Sequence, residues 1–139
     1  MTIESSGIAI GMAVADEFKC RLVFAKKGET INQSEDFYQS DVYSYTYQKE
    51  VHIRISKEFL NSNDKVLIVD DFLANGEAMR GLIDIVDKSG AKIIGCGAVI
   101  EKGFQAGGKN IRDKGIDLYS LAIIDKIDVE NQKIVFRGV

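Results

Sequence analysis

Two adjacent carboxylates and a run of small residues follow an aliphatic stretch in the middle of the sequence. The segment reads VLIVDDFLANGEA at positions 66–78, and its carboxylates are Asp70 and Asp71. Small residues let a phosphate approach the backbone, and a helix that starts there offers unpaired N–H groups and a positive dipole end. The carboxylates can accept hydrogen bonds from sugar hydroxyls or help to hold a divalent cation. The pattern therefore predicts a site for a phosphorylated ribose.

Two other interpretations of this segment stay open. Asp71 or Asn75 could cap the following helix, with Asp70 as a solvated strand end. An acid pair after VLIV also occurs in receiver domains of response regulators, where it binds magnesium and a phospho-accepting aspartate follows further along. Asp117 lies at a comparable distance, but the long segment before Lys65 and the short one after Asp117 do not fit that strand order.

Three further segments place polar residues where strands are expected to end. Glu4-Ser5-Ser6-Gly7 precedes a helix and suits an anion or a plain helix cap. Lys26 and Lys27 follow RLVFA and could neutralise a pyrophosphate or form a solvated charge pair. Lys102 and Phe104 follow KIIGCGAVI and could recognise a flat, oxygen-bearing heterocycle, or be a surface lysine and a packing residue. Because ligands of open α/β sheets bind outside the carboxyl ends of the strands, we expect one crevice to collect all of them.

Taken together, these segments resemble the type I phosphoribosyltransferases. VLIVDDFLANGEA is similar to the motif with which that family binds phosphoribosyl pyrophosphate (PRPP), and its FLANG loop resembles the branch that uses xanthine. The segments TIESSGIA at 2–9, FAKK at 24–27, VYSYT at 42–46 and IEKGFQ at 100–105 match that branch in order and spacing. The resemblance covers nearly the whole chain, from Thr2 to the last strand.

The resemblance implies transfer of phosphoribose from PRPP to xanthine, with Mg²⁺ accompanying PRPP and with release of pyrophosphate. It implies that Asp70 and Asp71 bind the ribose hydroxyls as the catalytic pair. Lys102 would donate to a purine oxygen, with Phe104 near the base. The residues implied for PRPP are Ala74, Asn75, Gly76, Glu77 and Ala78 at the 5′-phosphate, and Glu4, Ser5, Ser6, Gly7 and Lys26 at the pyrophosphate. No residue is directly assigned to the metal. The ribbon at 43–47 resembles the flap that closes over the site, and the expected assembly is a homodimer.

Three features depart from the family pattern. Family members carry an N-terminal segment that completes the first core strand and forms a hood over the base, whereas this sequence has Met1 directly before Thr2. We therefore expect a truncated first strand and hood, and weak catalysis. Lys26 stands where an arginine is expected, and the turn Gln105-Ala106-Gly107 lacks a frequent proline.

These departures leave alternatives open. The base could be guanine, hypoxanthine or adenine, or the chain could bind PRPP without turnover. A regulator built on this fold, like the purine-responsive repressors, is disfavoured because no DNA-binding module is found upstream and the net charge is −3.

Composition is typical of a single α/β domain spanning 1–139 that buries a core without the help of disulfide bonds or a structural metal. Hydrophobic residues make up 45% and charged residues 28% of the 139, and the charge of −3 disfavours nucleic acid and anionic membranes as partners. Two cysteines, Cys20 and Cys96, and one histidine, His52, exclude a disulfide scaffold and a thiolate zinc site. Both cysteines are expected to be buried. Without a membrane span or a signal peptide in the sequence, the expected location is the cytoplasm.

Hydrophobic periodicity predicts the elements that must position the site: a mostly parallel sheet flanked by helices, with an antiparallel two-stranded ribbon. Helices are predicted at 8–18, capped by Ser5 or Ser6, and at 77–88, ended by Gly90, with a helical turn near 110–114 and a loop at 26–39. The predicted strands are 1–3, 21–25, 41–47, 50–56, 65–70, 92–100, 117–125 and 133–137, the last at an edge.

Overall fold

We describe the fold from a computed structural model, in which residues 1–28, 36–44 and 48–138 are described, Ser44 by its backbone alone. Within these residues, strands and helices alternate along much of the chain, as predicted for the α/β class. The elements are β1 (Thr2–Ile3), α1 (Gly7–Phe18), β2 (Phe24–Gly28), β3 (Phe37–Ser44), β4 (Lys49–Ser56), a 3₁₀ turn (Lys57–Phe59), β5 (Lys65–Leu73), α2 (Glu77–Ser89), β6 (Lys92–Lys102), α3 (Ala106–Asp113), β7 (Leu118–Asp128) and β8 (Lys133–Phe136).

The strands form two four-stranded sheets, in the orders β1-β2-β4-β3 and β5-β6-β7-β8. β1 is parallel to β2, and β5, β6 and β7 are parallel to one another, whereas β3, β4 and β8 pair antiparallel with their neighbours. The sheets meet at Met1, whose nitrogen donates to the Leu67 carbonyl (2.6 Å) and whose carbonyl accepts from the Val69 N–H (2.8 Å). One residue bonding to two residues two positions apart is the parallel pattern. The carboxyl ends of β1, β5 and β6 therefore lie at one edge.

The core forms where α2 packs onto the strands. β5 is buried at Val66, Ile68 and Val69, as expected for a central parallel strand. The predicted apolar stripe of α2 is confirmed, since its members are at most 5% exposed: Met79, Leu82, Ile83, Ile85 and Val86. Gly90, with φ of +72°, ends the helix as predicted.

The predicted ribbon is part of a larger sheet. The antiparallel pairing of β3 with β4 is confirmed, but β4 also pairs with β2 through Lys26–Arg54 and Gly28–His52. The pairing with β1 begins at Phe24, later than the predicted start of β2, and the pairing with β4 extends β2 through Gly28, into residues predicted to be loop. The loop prediction was also wrong at 37–39, which belong to β3. Residues 29–35 of that loop and 45–47 of the ribbon lie outside the described part of the chain.

The strands of the second sheet run further than predicted. Phe72 pairs with Ile100 and Leu73 with Glu101, so β5 includes both carboxylates and β6 extends to Lys102. The helical turn predicted near 110–114 is a full helix, α3, which begins at Ala106. The edge position of β8 is confirmed.

The two cysteines differ in their environment. Cys96 is buried as predicted, and burial raises the pKa of its thiol to about 11. Cys20 is exposed, because it follows the end of α1 rather than lying within a strand, so the prediction for Cys20 was wrong. None of the helices in the described ranges is both long and apolar enough to cross a membrane.

Candidate active site

The acid pair lies inside β5 rather than beyond its end. Asp70 is 6% exposed and Asp71 is half-buried, so the interpretation of Asp70 as a solvated strand end was wrong. The Asp71 N–H donates to Oδ1 of Asp70 (3.0 Å). Burial, together with the neighbouring Asp71 carboxyl, raises the pKa of Asp70 to about 7, and the Lys27 charge acts in the opposite direction. A carboxyl that titrates near neutrality can hold or release a proton under working conditions.

The turn between β1 and α1 contacts the acid pair. The Ser6 hydroxyl donates to Oδ1 of Asp71 (3.1 Å). Ser6 is the N-cap residue of α1, one of the two predicted, but its side chain makes no bond to the helix N–H groups. A Cβ added to Gly7 would lie 2.1 Å from Oγ1 of Thr2 and 3.5 Å from Oδ1 of Asp70. Glycine therefore lets the helix begin directly against the Thr2 side chain of β1, next to the buried carboxylate.

Of the two lysines on β2, Lys27 interacts with this turn and with the acid pair. Its N–H donates to the Glu4 carboxylate (2.7 Å), and its charge lowers the pKa of Asp70. Lys26, the residue singled out from the sequence, is exposed and pairs in register with Arg54. Successive side chains of a strand point to opposite faces, so the two lysines cannot play the same part. The sequence analysis considered both lysines but assigned only Lys26 to the pyrophosphate, because it placed both residues in a loop, where this alternation does not apply.

The predicted phosphate loop connects β5 to α2, and α2 begins at Glu77 as expected. Gly76 is the N-cap, in the left-handed region with φ of +84° and without a side-chain cap bond, so the capping roles considered for Asp71 and Asn75 were wrong. The Glu77 carboxylate accepts from Nε and Nη2 of Arg80 (3.2 and 3.1 Å). Because the carboxylate is negatively charged and paired with Arg80, the group of Glu77 that suits an anion is its backbone N–H at the helix start.

Helix α3 rests directly on this loop. The Gly107 N–H donates to the Ala74 carbonyl (3.1 Å). A Cβ on Gly107 would lie 2.4 Å from that carbonyl oxygen, and one on Gly76 would lie 2.9 Å from the Gly107 Cα. The predicted reason for Gly76 was close approach of a phosphate, whereas the structure shows a positive φ and close packing of two backbones. Gly107 was missed from the sequence, although two successive glycines inside a helix, each costing about 1 kcal/mol, are a signal of such packing.

The opposite end of the site carries a cation and two exposed rings. The Lys102 ammonium lies 5.1 Å from the centre of the Phe72 ring. Phe72 is 40% exposed and Phe104 is 49% exposed, so neither ring belongs to the buried core. Phe72 was missed as a candidate although it lies within the motif, because strand pairing with β6 is what brings it beside Lys102. Exposed rings and an ammonium suit a flat ligand with oxygen acceptors.

The predicted flap is described only in part. Tyr43 lies on β3 and is 40% exposed. Tyr45, Thr46 and Tyr47 lie outside the described residues. Across the described ranges, no group of three or more His, Cys, Asp or Glu side chains stands ready to hold a metal ion by itself.

The sequence model of the Phosphoribosyl transferase domain family matches residues 1–132. The chain belongs to this family. Among curated relatives, the xanthine phosphoribosyltransferase of Lachnoclostridium phytofermentans is 51% identical over 138 residues, covering 99% of this chain and 71% of the relative. The xanthine phosphoribosyltransferase of Bifidobacterium adolescentis is 49% identical, with 99% and 72% covered. The likeness thus extends along almost all of the chain.

Solved structures show the same fold. The adenine phosphoribosyltransferase of Rhodothermus marinus superimposes with a TM-score of 0.75 at 21% identity, over 88% of this chain and 67% of that one. The Giardia lamblia enzyme, solved with 9-deazaadenine, also gives 0.75, at 28% identity over 88% of this chain and 66% of that one. The fold implied by the resemblance, that of the type I phosphoribosyltransferases, is therefore confirmed.

Proposed function

We propose that this chain is a xanthine phosphoribosyltransferase of purine salvage. It transfers the 5-phosphoribosyl group of PRPP to xanthine and yields xanthosine 5′-monophosphate and pyrophosphate. The observation that carries the proposal is the acid pair of β5, with Asp70 buried and Asp71 half-buried, which leads within three residues into a loop at a helix N-terminus. The choice of xanthine is supported by relatives of that name at about half identity over 99% of the chain.

We assign the phosphoribosyl half of the site as follows. Asp70 and Asp71 accept hydrogen bonds from the ribose hydroxyls, as carboxylates beside a phosphate loop can. Backbone N–H groups hold the 5′-phosphate, with the dipole of α2 opposing its charge; the residues are Ala74, Asn75, Gly76, Glu77 and Ala78. The pyrophosphate lies by the β1–α1 turn, facing Glu4, Ser5, Ser6, Gly7 and Lys26. Lys27, whose backbone is bonded to Glu4, is a second candidate cation for it.

In the base half, Lys102 donates to a purine oxygen while Phe104, and also Phe72, cover the ring. The bond from C1′ to the pyrophosphate oxygen breaks, a bond from C1′ to a purine nitrogen forms, and the proton of that nitrogen is lost. The protein's work is to align the nitrogen with C1′, to stabilise the departing charge and to keep water from the ribose.

Mg²⁺ bound with PRPP fits the donors present. Magnesium is usually held by one or two carboxylates together with substrate phosphates rather than by a closed protein cage. Asp71 is half-buried, and its carboxylate could supply one such ligand. When bound, the ion would offset the charge that builds up on the pyrophosphate.

The test is xanthine-dependent release of pyrophosphate from PRPP and Mg²⁺ by this chain. We expect release with xanthine to exceed that with guanine, hypoxanthine or adenine, and we expect Asp71→Asn to weaken PRPP binding with little change in melting temperature. A preference for another base would contradict the choice of xanthine. Binding of PRPP without release for any base would favour the binding-only alternative, and no binding at all would contradict both.

We further propose that residues 1–139 fold as one domain, and that the protein acts in the cytoplasm as a homodimer. The domain proposal is supported by the backbone bonds of Met1, which join the two sheets. Light scattering measures the assembly, and a single cooperative urea transition is expected for one domain.

A further inference from the structure

A buried carboxylate that belongs to none of the assigned subsites lies between β6 and α3. Glu101 precedes Lys102 in β6 and is 3% exposed. Its oxygens accept from Nη1 and Nη2 of Arg112 (2.7 and 2.8 Å), and Oε2 also accepts from the Ser120 hydroxyl (2.6 Å). The bonds from Arg112 and Ser120 hold the pKa of Glu101 below its usual value. The group is thus a buried, ionised and fully engaged carboxylate at neutral pH.

The carboxylate sets how closely α3 approaches the sheet. A Cβ added to Gly108 would lie 2.0 Å from Oε1 of Glu101, so the helix backbone passes directly over this oxygen. Arg112, one turn further along α3, clamps the same helix to the carboxylate from the side. A closer approach would push the backbone at Gly108 into the Glu101 oxygen, and a larger separation would break the ion pair with Arg112. The distance between α3 and β6 is therefore held within a narrow range.

The distance between α3 and β6 matters because Gly107, the residue before Gly108, contacts the phosphate loop. Gly107 donates to the Ala74 carbonyl (3.1 Å), and its backbone leaves no room for a Cβ on Gly76. A displacement of α3 would therefore move the loop whose N–H groups are assigned to the 5′-phosphate. Hydrogen bonds to a phosphate lose strength with displacements of about 1 Å, so the loop needs such a support.

We propose that Glu101, held by Arg112 and Ser120, is a positioning residue for the 5′-phosphate loop and acts through α3. This inference rests on the proposed function and adds a residue that touches no substrate. It predicts a selective defect. The loop should lose affinity for the 5′-phosphate, while the pyrophosphate side, built on the β1–α1 turn that contacts β2 and β5, should not.

The experiment compares dissociation constants for ribose 5-phosphate and for magnesium pyrophosphate, measured by isothermal titration calorimetry on the wild-type chain and on Glu101→Gln. Glutamine keeps the shape but removes the charge and one of the acceptor oxygens. We expect ribose 5-phosphate to bind about tenfold more weakly, and pyrophosphate to change by less than about twofold. The matched control is Lys109→Gln, which breaks the exposed Lys109–Asp113 ion pair on the same helix and should change neither constant.

A second variant tests the same contact from the helix side. Gly108→Ala leaves the carboxylate intact but pushes α3 away from it, so it should produce the same selective loss; if Glu101→Gln does not fold, the ratio of the two constants in Gly108→Ala decides. Equal weakening of both ligands, or unchanged binding of ribose 5-phosphate, would overturn the positioning role. If the wild-type chain bound neither ligand, the proposed function itself would fail, an outcome that the wild-type titrations alone reveal.

Discussion

Replacing Asp70 by asparagine should make the protein more stable at neutral and alkaline pH. Asp70 is 6% exposed, and its pKa is raised from the usual 3.8 to about 7. An acid with a raised pKa in the folded state keeps its proton on folding, so its ionisation opposes folding as the pH rises from about 4 to about 7. Each pKa unit corresponds to about 1.4 kcal/mol, so the full shift amounts to about 4 kcal/mol. Asparagine has nearly the same shape, can still accept from the Asp71 N–H, and carries no charge.

The assay is urea unfolding followed by circular dichroism between pH 4.5 and pH 8.5. The difference in free energy of unfolding between Asp70→Asn and wild type should grow across this window, to as much as about 4 kcal/mol. Asp16→Asn, at an exposed carboxylate paired with Lys19, controls for the chemical change alone. Binding of PRPP with Mg²⁺ should weaken in Asp70→Asn, because a neutral amide is a poorer acceptor and metal ligand than a carboxylate. Parallel stability curves for Asp70→Asn and wild type would refute the reasoning.

Three further outcomes are expected. Gly76→Val combines a positive φ of +84° with a clash against the Gly107 Cα, so ribose 5-phosphate should bind at least about tenfold more weakly in calorimetry, about 1.4 kcal/mol; unchanged affinity would remove the loop from the site. Leu82→Ala empties a position that is 0% exposed and should lower the free energy of unfolding in urea by about 2–5 kcal/mol; a smaller loss would mean that the core collapses around the gap. In thiol titration, Cys20 should react in the native protein and Cys96 only after unfolding, because Cys96 is buried; two rapidly reacting native thiols would contradict this.

Local sequence was sufficient for the central elements and for the position of the loop between β5 and α2, which we assign to the 5′-phosphate. The aliphatic run of β5 and the stripe of α2 have periodicities that only one kind of element satisfies, and Gly90 ends α2 by a local backbone preference. The succession of carboxylates, small residues and a helix start could also be identified from the sequence, because all of its parts are adjacent in the chain. The same is true of the antiparallel pairing of β3 and β4.

Strand pairing decided where the strands end and which side chains share a face. Pairing of β2 with β4 turned a predicted loop into a strand, and the resulting alternation separates Lys27 from Lys26. Pairing of β5 with β6 includes the acid pair in the sheet, so Asp70 is buried. The same pairing places Phe72 beside Lys102. These strand pairings join residues 24 or more positions apart, and no local sequence pattern predicts them.

Tertiary packing also decided the environment of the phosphate loop. From the sequence, Gly76 was read as an opening for a ligand, and Gly107 and Gly108 carried no assignment. The structure shows that these three glycines let α3 lie against the loop on one side and against the Glu101 carboxylate on the other. The sequence of this loop predicts that it binds an anion. The support of the loop depends on distant parts of the chain. Two backbones can approach this closely only where the residues between them are glycines, which have no side chain.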